Sequence, residues 1–505
     1  MPTLTWIGKQ AVEKHHLEIP YRLLEYDESL SVGDKESGNL LVQGDNLLAL
    51  KALLPYYAGK VKCIYIDPPY NTGNEGWQYN DNVNAPEIKA WLNKVVGSEG
   101  EDLSRHDKWL CMMYPRLSLL KKLLRADGGI YVSIDYNEES NLKLLMNEVF
   151  GENNYRNTFI VSRVKKNIRE RDKIKAINFG HNSILFYAKS EKCLIIPPSK
   201  KQEKPQRWHA FDAPGIRPTM EYDLFGFKPP RNRHWMYSEV RSKEMITKGL
   251  LRPNPKTGKP QYHLEESSET MLDTNWTDLQ EAGFDWNYPY GEKNLELIKR
   301  IFSTITEKNS IILDSFAGSG TTAHAVMELN KKDGGERKFI LVELEEKIAK
   351  EVTTERLKKV VNGYTTNKQN GNNDKVEGLG GGFRYCILGE PLFDKFGNVR
   401  QGVKFKELAR HIFFSENGVP LSEKAKLNTP LIGTYKGVAY YLLFNGILGD
   451  KTVTGGNVLT SRILESLPKH NGPKIIFGES NRLSAARLKK GNIVFKQIPY
   501  EIKTS

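Results

Sequence analysis

Cys63-Ile64-Tyr65-Ile66-Asp67-Pro68-Pro69-Tyr70 is an apolar run that ends on an acidic turn stiffened by two prolines. Much later in the chain, Ile311-Ile312-Leu313 runs into Asp314-Ser315-Phe316-Ala317-Gly318-Ser319-Gly320-Thr321-Thr322. Each stretch reads as a strand followed by a specialised turn. Open α/β sheets bind ligands in the crevice outside the carboxyl ends of their strands, so each of these turns marks a candidate site.

The surroundings support that class. From 39 to 190, strand patterns at 39–43, 61–66, 129–134, 157–163 and 182–189 alternate with helical ones at 46–54 and 109–124. Such alternation predicts a largely parallel, doubly wound sheet of the Rossmann-like kind. The pattern resumes with a helix at 294–302, strands at 311–314 and 338–343, and a helix at 322–329 between those strands. Between the two blocks, residues 191–285 mix proline, lysine, arginine and aromatic residues with no sustained period, and read as an inserted domain. Trp208, His209, Arg217, Lys228, Arg231, Arg233, His234 and Trp235 stand out there; the two tryptophans fit a core better than an exposed wedge. Residues 1–38 read as an N-terminal arm, 39–190 and 286–362 as the two parts of the sheet domain, and 363–382, rich in Asn and Gly, as a linker. Residues 383–505, with apolar runs at 439–444, 474–477 and 492–495, read as a small C-terminal α/β domain.

A chain of 505 residues suits about three domains at about 150 residues each. Its formal net charge of +13 fits a polyanionic partner, since Lys and Arg contacts to phosphate release counterions; a merely soluble basic protein fits the charge equally well. The stretch from Arg163 to Lys175 is either a loop ordered by such a partner or a solvated charged helix. Cys63, Cys111, Cys193 and Cys386 form no CxxC pair and no His-spaced set, so neither a disulfide framework nor a metal site is predicted, and a reduced, cytoplasmic setting is expected. The first residues lack the apolar core of a signal peptide, and no apolar run is long enough for a membrane span.

The chemistry of the two turns is readable from residue types. The lone pair of an exocyclic amino group on a nucleobase is delocalised into the ring. A catalyst must draw that nitrogen towards tetrahedral geometry with acceptors placed for the transition state. Asp67 can accept one amino hydrogen and the Pro68 carbonyl the other. Pro69 holds the turn, and Tyr70 can stack on a base taken out of a duplex. In the second turn, Gly318 and Gly320 allow close backbone approach to a ligand. Glu343, ending the strand after the helix, is placed for ribose hydroxyls as in other doubly wound nucleotide sites. No phosphate-binding Gly-x-x-x-x-Gly-Lys-Ser/Thr loop is present, so ATP is not suggested.

Together these motifs resemble the β group of amino-methyltransferases. In particular, Asp67-Pro68-Pro69-Tyr70-Asn71-Thr72-Gly73 is similar to the catalytic loop of modification subunits of type III restriction-modification systems. The resemblance spans residues 39–360. It implies transfer of a methyl group from S-adenosyl-L-methionine to adenine N6 in double-stranded DNA by base flipping, on a circularly permuted sheet whose catalytic loop precedes its cofactor loop. It implies Asp67, Pro68, Pro69 and Tyr70 as catalytic residues. Asp45, Asn46, Asp67, Asp314, Phe316, Gly318, Ser319, Gly320, Thr321 and Glu343 would bind the cofactor, with Asp45 near its adenine and Phe316 against its methionine end. Residues 191–285 take the place of the family's target-recognition domain. A homodimer and a restriction or other defence subunit are the implied protein partners, and the end of the chain from Phe495 to Ile502 resembles the ends of such modification subunits. One departure is visible: where relatives carry Lys-Pro before the helix preceding the cofactor strand, this chain has Tyr290-Gly291-Glu292-Lys293-Asn294.

Two other readings compete. Cytosine-N4 enzymes more often open the catalytic loop with Ser, so Asp67 favours adenine. A DNA-recognition subunit without catalysis is opposed by the intact Asp67, Tyr70, Gly318 and Gly320. Cytosine carbon-5 chemistry needs a nucleophilic Cys, typically after Pro, and none of the cysteines follows a proline. With no nuclease motif and no helicase phosphate loop, DNA cleavage would fall to a partner.

Overall fold

The computed structural model describes residues 4–72, 101–163, 177, 179–283, 286, 292–365, 375–422, 425, 427–444 and 456–498. One compact unit comprises Met1–Ile196 and Thr274–Ser505, and a second comprises Pro197–Asp273.

A 10-stranded sheet forms the centre of the larger unit. In chain order its strands are β1 (Arg22–Gly33), β2 (Leu40–Gln43), β3 (Val61–Ile66), β4 (Leu124–Ile134), β5 (Tyr155–Ser162), β6 (His181–Ala188), β7 (Asn275–Gln280), β8 (Ile311–Asp314), β9 (Lys338–Glu343) and β10 (Gly382–Pro391). Across the sheet the order is β1-β10-β2-β9-β8-β3-β4-β6-β5-β7. The pairs from β10 to β4 are parallel, β1 is antiparallel to β10, and β6 is antiparallel to both β4 and β5. Every residue of β3 is buried, as expected of a parallel strand covered on both faces.

Four helices frame the centre: α1 (Asn46–Tyr57), α2 (Glu101–Leu123), α3 (Leu295–Ser303) and α4 (Thr321–Asp333). The chain leaves β3 through α2 towards β4, and leaves β8 through α4 towards β9, on the other side. The sheet order therefore reverses between β3 and β8, which pair in register Leu313 with Ile64. This is a topological switch point, where neighbouring loops diverge and open a crevice. The two turns that opened the sequence reading leave adjacent strands at this point, so the doubly wound sheet and its permuted order stand as expected.

The structure corrects several boundaries. Much of the expected N-terminal arm is β1, paired with β10 at one sheet edge. The expected start of a separate C-terminal domain at 383 falls inside the main sheet. Phe383, Tyr385 and Cys386 are fully buried there, because β10 is inserted between β1 and β2 instead of lying at an edge. Within the expected linker, Gly363–Thr365 pairs with Lys375–Glu377, and 366–374 lie outside the described residues. The remainder of the C-terminal segment carries a 4-stranded sheet of Leu431–Tyr435, Val438–Leu442, Lys474–Gly478 and Ile493–Gln497. The expectations for Arg163 to Lys175, except Arg163, and for the chain end beyond Ile498 also fall outside the described residues.

The second unit is narrower than the 191–285 segment read from composition, since Asn275–Gln280 is β7 of the main sheet. It holds a 3-stranded sheet of Leu251–Pro253, Pro260–Leu264 and Arg207–Ala210 around a small core of Phe211, Leu224, Trp235 and Leu251. Trp235 is thus a core residue, whereas Trp208 is half-buried beneath the Arg252 guanidinium, 3.8 Å from its ring centre.

Candidate active site

Prolines supply no amide hydrogen, so the turn after β3 is pinned by side chains from elsewhere. Trp109 of α2 donates its indole N–H to the Pro69 carbonyl at 2.7 Å. Asn71 has a left-handed φ of 57°, which asparagine tolerates better than most residues. Its amide donates to the Glu138 carboxylate and, at 3.3 Å, to the Arg105 carbonyl. His106 Nδ1 lies 2.5 Å from the same Glu138 oxygen, and Asn141 donates to the other at 2.8 Å. The loop is thereby fastened to α2 and to the residues after β4.

The mouth of this turn is crowded with charge. Lys293 Nζ lies 2.8 Å from Asp67 Oδ1, 2.8 Å from the Tyr70 hydroxyl and 2.5 Å from Glu281 Oε1. The Tyr70 hydroxyl is 2.8 Å from Asp67 Oδ1 and also bonds Glu281 Oε1, while Asn182 donates to Glu281 Oε2. Backbone pairing sets this up. Glu281 N–H donates to Ser162, Gly283 N–H to Glu292, and Asn294 N–H to Glu281, the last two at 2.8 Å, so the chain after β7 and the chain before α3 face each other. Burial raises the Asp67 carboxyl above the usual range and Glu281 adds to this, while Lys293 opposes it. For Glu281 burial is outweighed by Lys293 and its other donors, and the carboxyl is held below its ordinary value. Burial disfavours the Lys293 ammonium, yet the two carboxylates hold it above the ordinary lysine range. Among the described residues, nothing donates to Asp67 Oδ2 or to the Pro68 carbonyl.

The second turn is held from within by the Asp314 side chain and from outside by groups of neighbouring elements. Asp314 Oδ1 accepts from Phe316 N–H at 3.0 Å and Oδ2 from the Thr322 hydroxyl at 2.6 Å. Burial pushes the Asp314 carboxyl up to about 7. Gly318 and Gly320 have φ of 49° and 78°. A methyl group added at Gly320 would press on Thr353 at 3.0 Å, whereas at Gly318 the nearest heavy atom is 4.0 Å away, so the backbone at Gly318 borders open space. Glu343 Oε2 accepts from Gly318 N–H at 2.8 Å and Oε1 from Glu345 N–H at 3.1 Å. Burial raises this carboxyl to about 6. Behind the turn the buried Arg356 donates to Ser319 Oγ at 3.0 Å and Thr321 Oγ1 at 2.9 Å, and pairs with Glu292 at 3.3 Å. Phe316 is buried.

Asp45 and Asn46 join the same crevice from β2. Asp45 caps α1, accepting from Leu47 and Leu48 N–H at 2.8 and 3.1 Å, and its other oxygen faces Arg116 at 3.4 Å. Asn46 donates to the Ser315 carbonyl at 3.1 Å and accepts from Arg116. The residues read in the sequence as catalytic or cofactor-binding therefore lie at or just beyond the carboxyl ends of β2, β3, β8 and β9. Glu281 and Asn182 were missed, because no motif surrounds them. Lys293 was noticed only inside the segment that departs from Lys-Pro, and residues 290 and 291 of that segment lie outside the described residues.

The arrangement can accept an amino group at one turn and cradle a nucleoside-like ligand at the other. Residues 61–354 match a protein family described as DNA methylase. The StyLTI Mod subunit of a type III restriction-modification enzyme from Salmonella typhimurium is 32% identical over 387 residues, covering 68% of this chain and 59% of the relative. The EcoP15I Mod subunit from Escherichia coli is 30% identical, covering 68% and 64%. The type II methyltransferase M.KpnI of Klebsiella pneumoniae is 30% identical, covering 64% of this chain and 84% of that enzyme. The chain thus spans about three fifths of the length of the two Mod subunits.

Proposed function

The chain belongs to the DNA methylase family, and from that premise we propose that it transfers a methyl group from S-adenosylmethionine to the N6 amino group of adenine in double-stranded DNA. One observation carries the reading. Among the described residues, nothing donates to one carboxylate oxygen of Asp67 or to the neighbouring Pro68 carbonyl, beside a glycine turn bounded by a buried carboxylate. Two acceptors of that kind suit the two hydrogens of a primary amino group. Cytosine N4 would offer the same pair, and Asp at the head of the loop favours adenine.

The cofactor turn fits S-adenosylmethionine. Glu343 would accept from ribose hydroxyls, Gly318 borders open space, and Asp45, Asn46, Asp67, Asp314, Phe316, Ser319, Gly320 and Thr321 would complete the cofactor site. The cofactor, when bound, supplies an electrophilic methyl group. The protein's own work is to take the amino hydrogens on Asp67 and Pro68, keep the turn rigid through Pro69 and Trp109, and stack the flipped base on Tyr70. Fixed acceptors of this sort act on the charge that develops in the transition state, without reorganising at the moment of reaction.

The unit Pro197–Asp273 is proposed to read the DNA sequence, its Arg side chains at guanine edges and its Asn or Gln at adenine edges, with other cations on phosphate. Because two of the relatives are named as subunits of restriction-modification enzymes, the chain is proposed to work with a second copy and with a restriction or other defence subunit. Light scattering that shows only monomer with and without DNA would remove the dimer.

Single-molecule sequencing of DNA from cells expressing the chain tests the reaction and the reader together. N6-methyladenine in one motif is expected, and N4-methylcytosine or unmodified DNA would overturn the reading. Exchanging the 197–273 unit for that of a relative should change the motif and leave the modified base unchanged.

A further inference from the structure

The charged cluster around Asp67 contains more than the reaction read above needs. An acceptor for an amino hydrogen must be ionised, must point one oxygen at the substrate, and must not rotate. A carboxylate at a half-buried strand end meets none of these conditions unaided, because burial favours its neutral form. Asp67 is further surrounded by groups that oppose its charge. Glu281 faces it across Tyr70 and Lys293. Asp314 is at the end of β8; Tyr65, on the same strand as Asp67, stays a neutral phenol, and Asp135, after β4, faces Glu281.

Among the described residues, the cation facing Asp67 is Lys293, and its geometry is specific. Its ammonium has three hydrogens, and three acceptors lie around it: Asp67 Oδ1 at 2.8 Å, the Tyr70 hydroxyl at 2.8 Å and Glu281 Oε1 at 2.5 Å. The Tyr70 hydroxyl has one proton for the two carboxylate oxygens it approaches, so Tyr70 alone cannot hold both. Lys293 closes that deficit. Glu281 is in turn fixed by Asn182 on its other oxygen and by the backbone pairing of residues 281–283 with 292–294. The Tyr70 and Lys293 contacts to Asp67 both fall on Oδ1, and among the described residues none falls on Oδ2.

We propose that Lys293, clamped by Glu281, is a positioning residue for methyl transfer: it holds Oδ1 of Asp67 so that the carboxylate stays ionised and presents Oδ2 to the amino group of the target base. This rests on the amino-methyltransferase reading. Lys293 touches neither base nor cofactor in this account and acts through Asp67. Glu281 has two opposed effects: its negative charge works against ionisation of Asp67, and its carboxylate keeps Lys293 in place.

The two substitutions therefore shift the pH dependence in opposite directions. Single-turnover transfer from labelled S-adenosylmethionine to duplex DNA would be measured at saturating concentrations from about pH 5.5 to about pH 9. Lys293→Met should move the acid limb of the rate upward by about one pH unit or more, and Lys293→Arg should restore it towards wild type. Glu281→Gln should move the limb downward. A Lys293→Met enzyme that loses rate equally at every pH, with no rescue by Arg, would overturn the proposal. The carboxyl carbon-13 shift of Asp67, in selectively labelled full-length protein and assigned against Asp67→Asn, reads the same ionisation without turnover. If Lys293→Met raises that titration while the wild type methylates no DNA, Lys293 still sets the ionisation of Asp67, but the reaction assigned to the site fails and the positioning role in methyl transfer is overturned with it. If the wild type methylates DNA and the titration does not move, the reaction stands and Lys293 has no such role.

Discussion

The turns after β3 and β8 leave adjacent strands of one sheet, yet they are closed differently. The β8 turn combines bonds within its own short window with partners from neighbouring elements, Glu343 on the Gly318 N–H and Arg356 on Ser319 and Thr321. Asp314 binds the backbone two residues on and the Thr322 side chain eight residues on, and two left-handed glycines set its path. The β3 turn has almost no internal bonding. Its charged end is fixed by Glu281 and Lys293, which bond Tyr70 across 211 and 223 residues of sequence. A turn closed within its own window and by adjoining elements makes a preformed cradle. A turn closed by distant charges makes an acceptor whose ionisation the rest of the fold can tune.

The sharpest way to test that division is to remove the acceptor alone. Asp67→Ala should lower methyl transfer by at least about 10³-fold, a loss at the upper end of that seen when one preorganised transition-state contact is deleted. Cofactor affinity, measured by calorimetry, should stay within a few-fold, because the β8 turn is held without Asp67. Activity near that of wild type would show that the amino group is held elsewhere.

The same contrast explains what could be read in advance. The β8 turn was legible from residues in one short window: strand, acid, small residues, helix. The switch-point sheet was legible too, since alternating strand and helix patterns and the apolar β3 and β8 need no tertiary information. Lys293, Glu281 and Asn182 were not. Their significance comes from strand pairing that brings residues after β7 and before α3 beside β3, and no spacing along the chain encodes that. The place of β10 was hidden for a related reason. The Gly-rich stretch before it looks like a linker, and only the two-sided burial of Phe383, Tyr385 and Cys386 reveals a strand inside the sheet.

A smaller effect is expected from altering the cradle. Gly318 lies in the left-handed region, where a side chain costs about 1–2 kcal/mol, and its added atoms would enter the open space beside the turn. Gly318→Val should weaken S-adenosylmethionine binding by about tenfold or more, since each 1.4 kcal/mol is a factor of ten. Gly320→Val meets Thr353 instead and should lower the melting temperature more than Gly318→Val does. If Gly318→Val binds cofactor normally while folding suffers, the cradle is a structural turn and the ligand lies elsewhere.

The mildest test uses pH on the unaltered protein. Burial holds the Glu343 carboxyl at about 6, above its ordinary value, although the N–H groups of Gly318 and Glu345 favour its charged form. A ribose hydroxyl donates, so the form of Glu343 that binds it best is the carboxylate. Binding therefore competes with a proton: S-adenosylmethionine affinity should be flat above about pH 7 and fall as pH drops through about 6, reaching roughly a tenfold loss near pH 5. Glu343→Gln removes the group that titrates near 6 and leaves Asp314, raised to about 7, so its affinity should be weaker throughout and should lose the step near pH 6. Asp67, on the other turn, should contribute nothing to this dependence, so Asp67→Asn should bind cofactor with the wild-type pH profile. Calorimetry on the three proteins reads all of this. A wild-type profile that stays flat below pH 6 would separate Glu343 from the cofactor, and a profile altered by Asp67→Asn would show that the two turns are not independent.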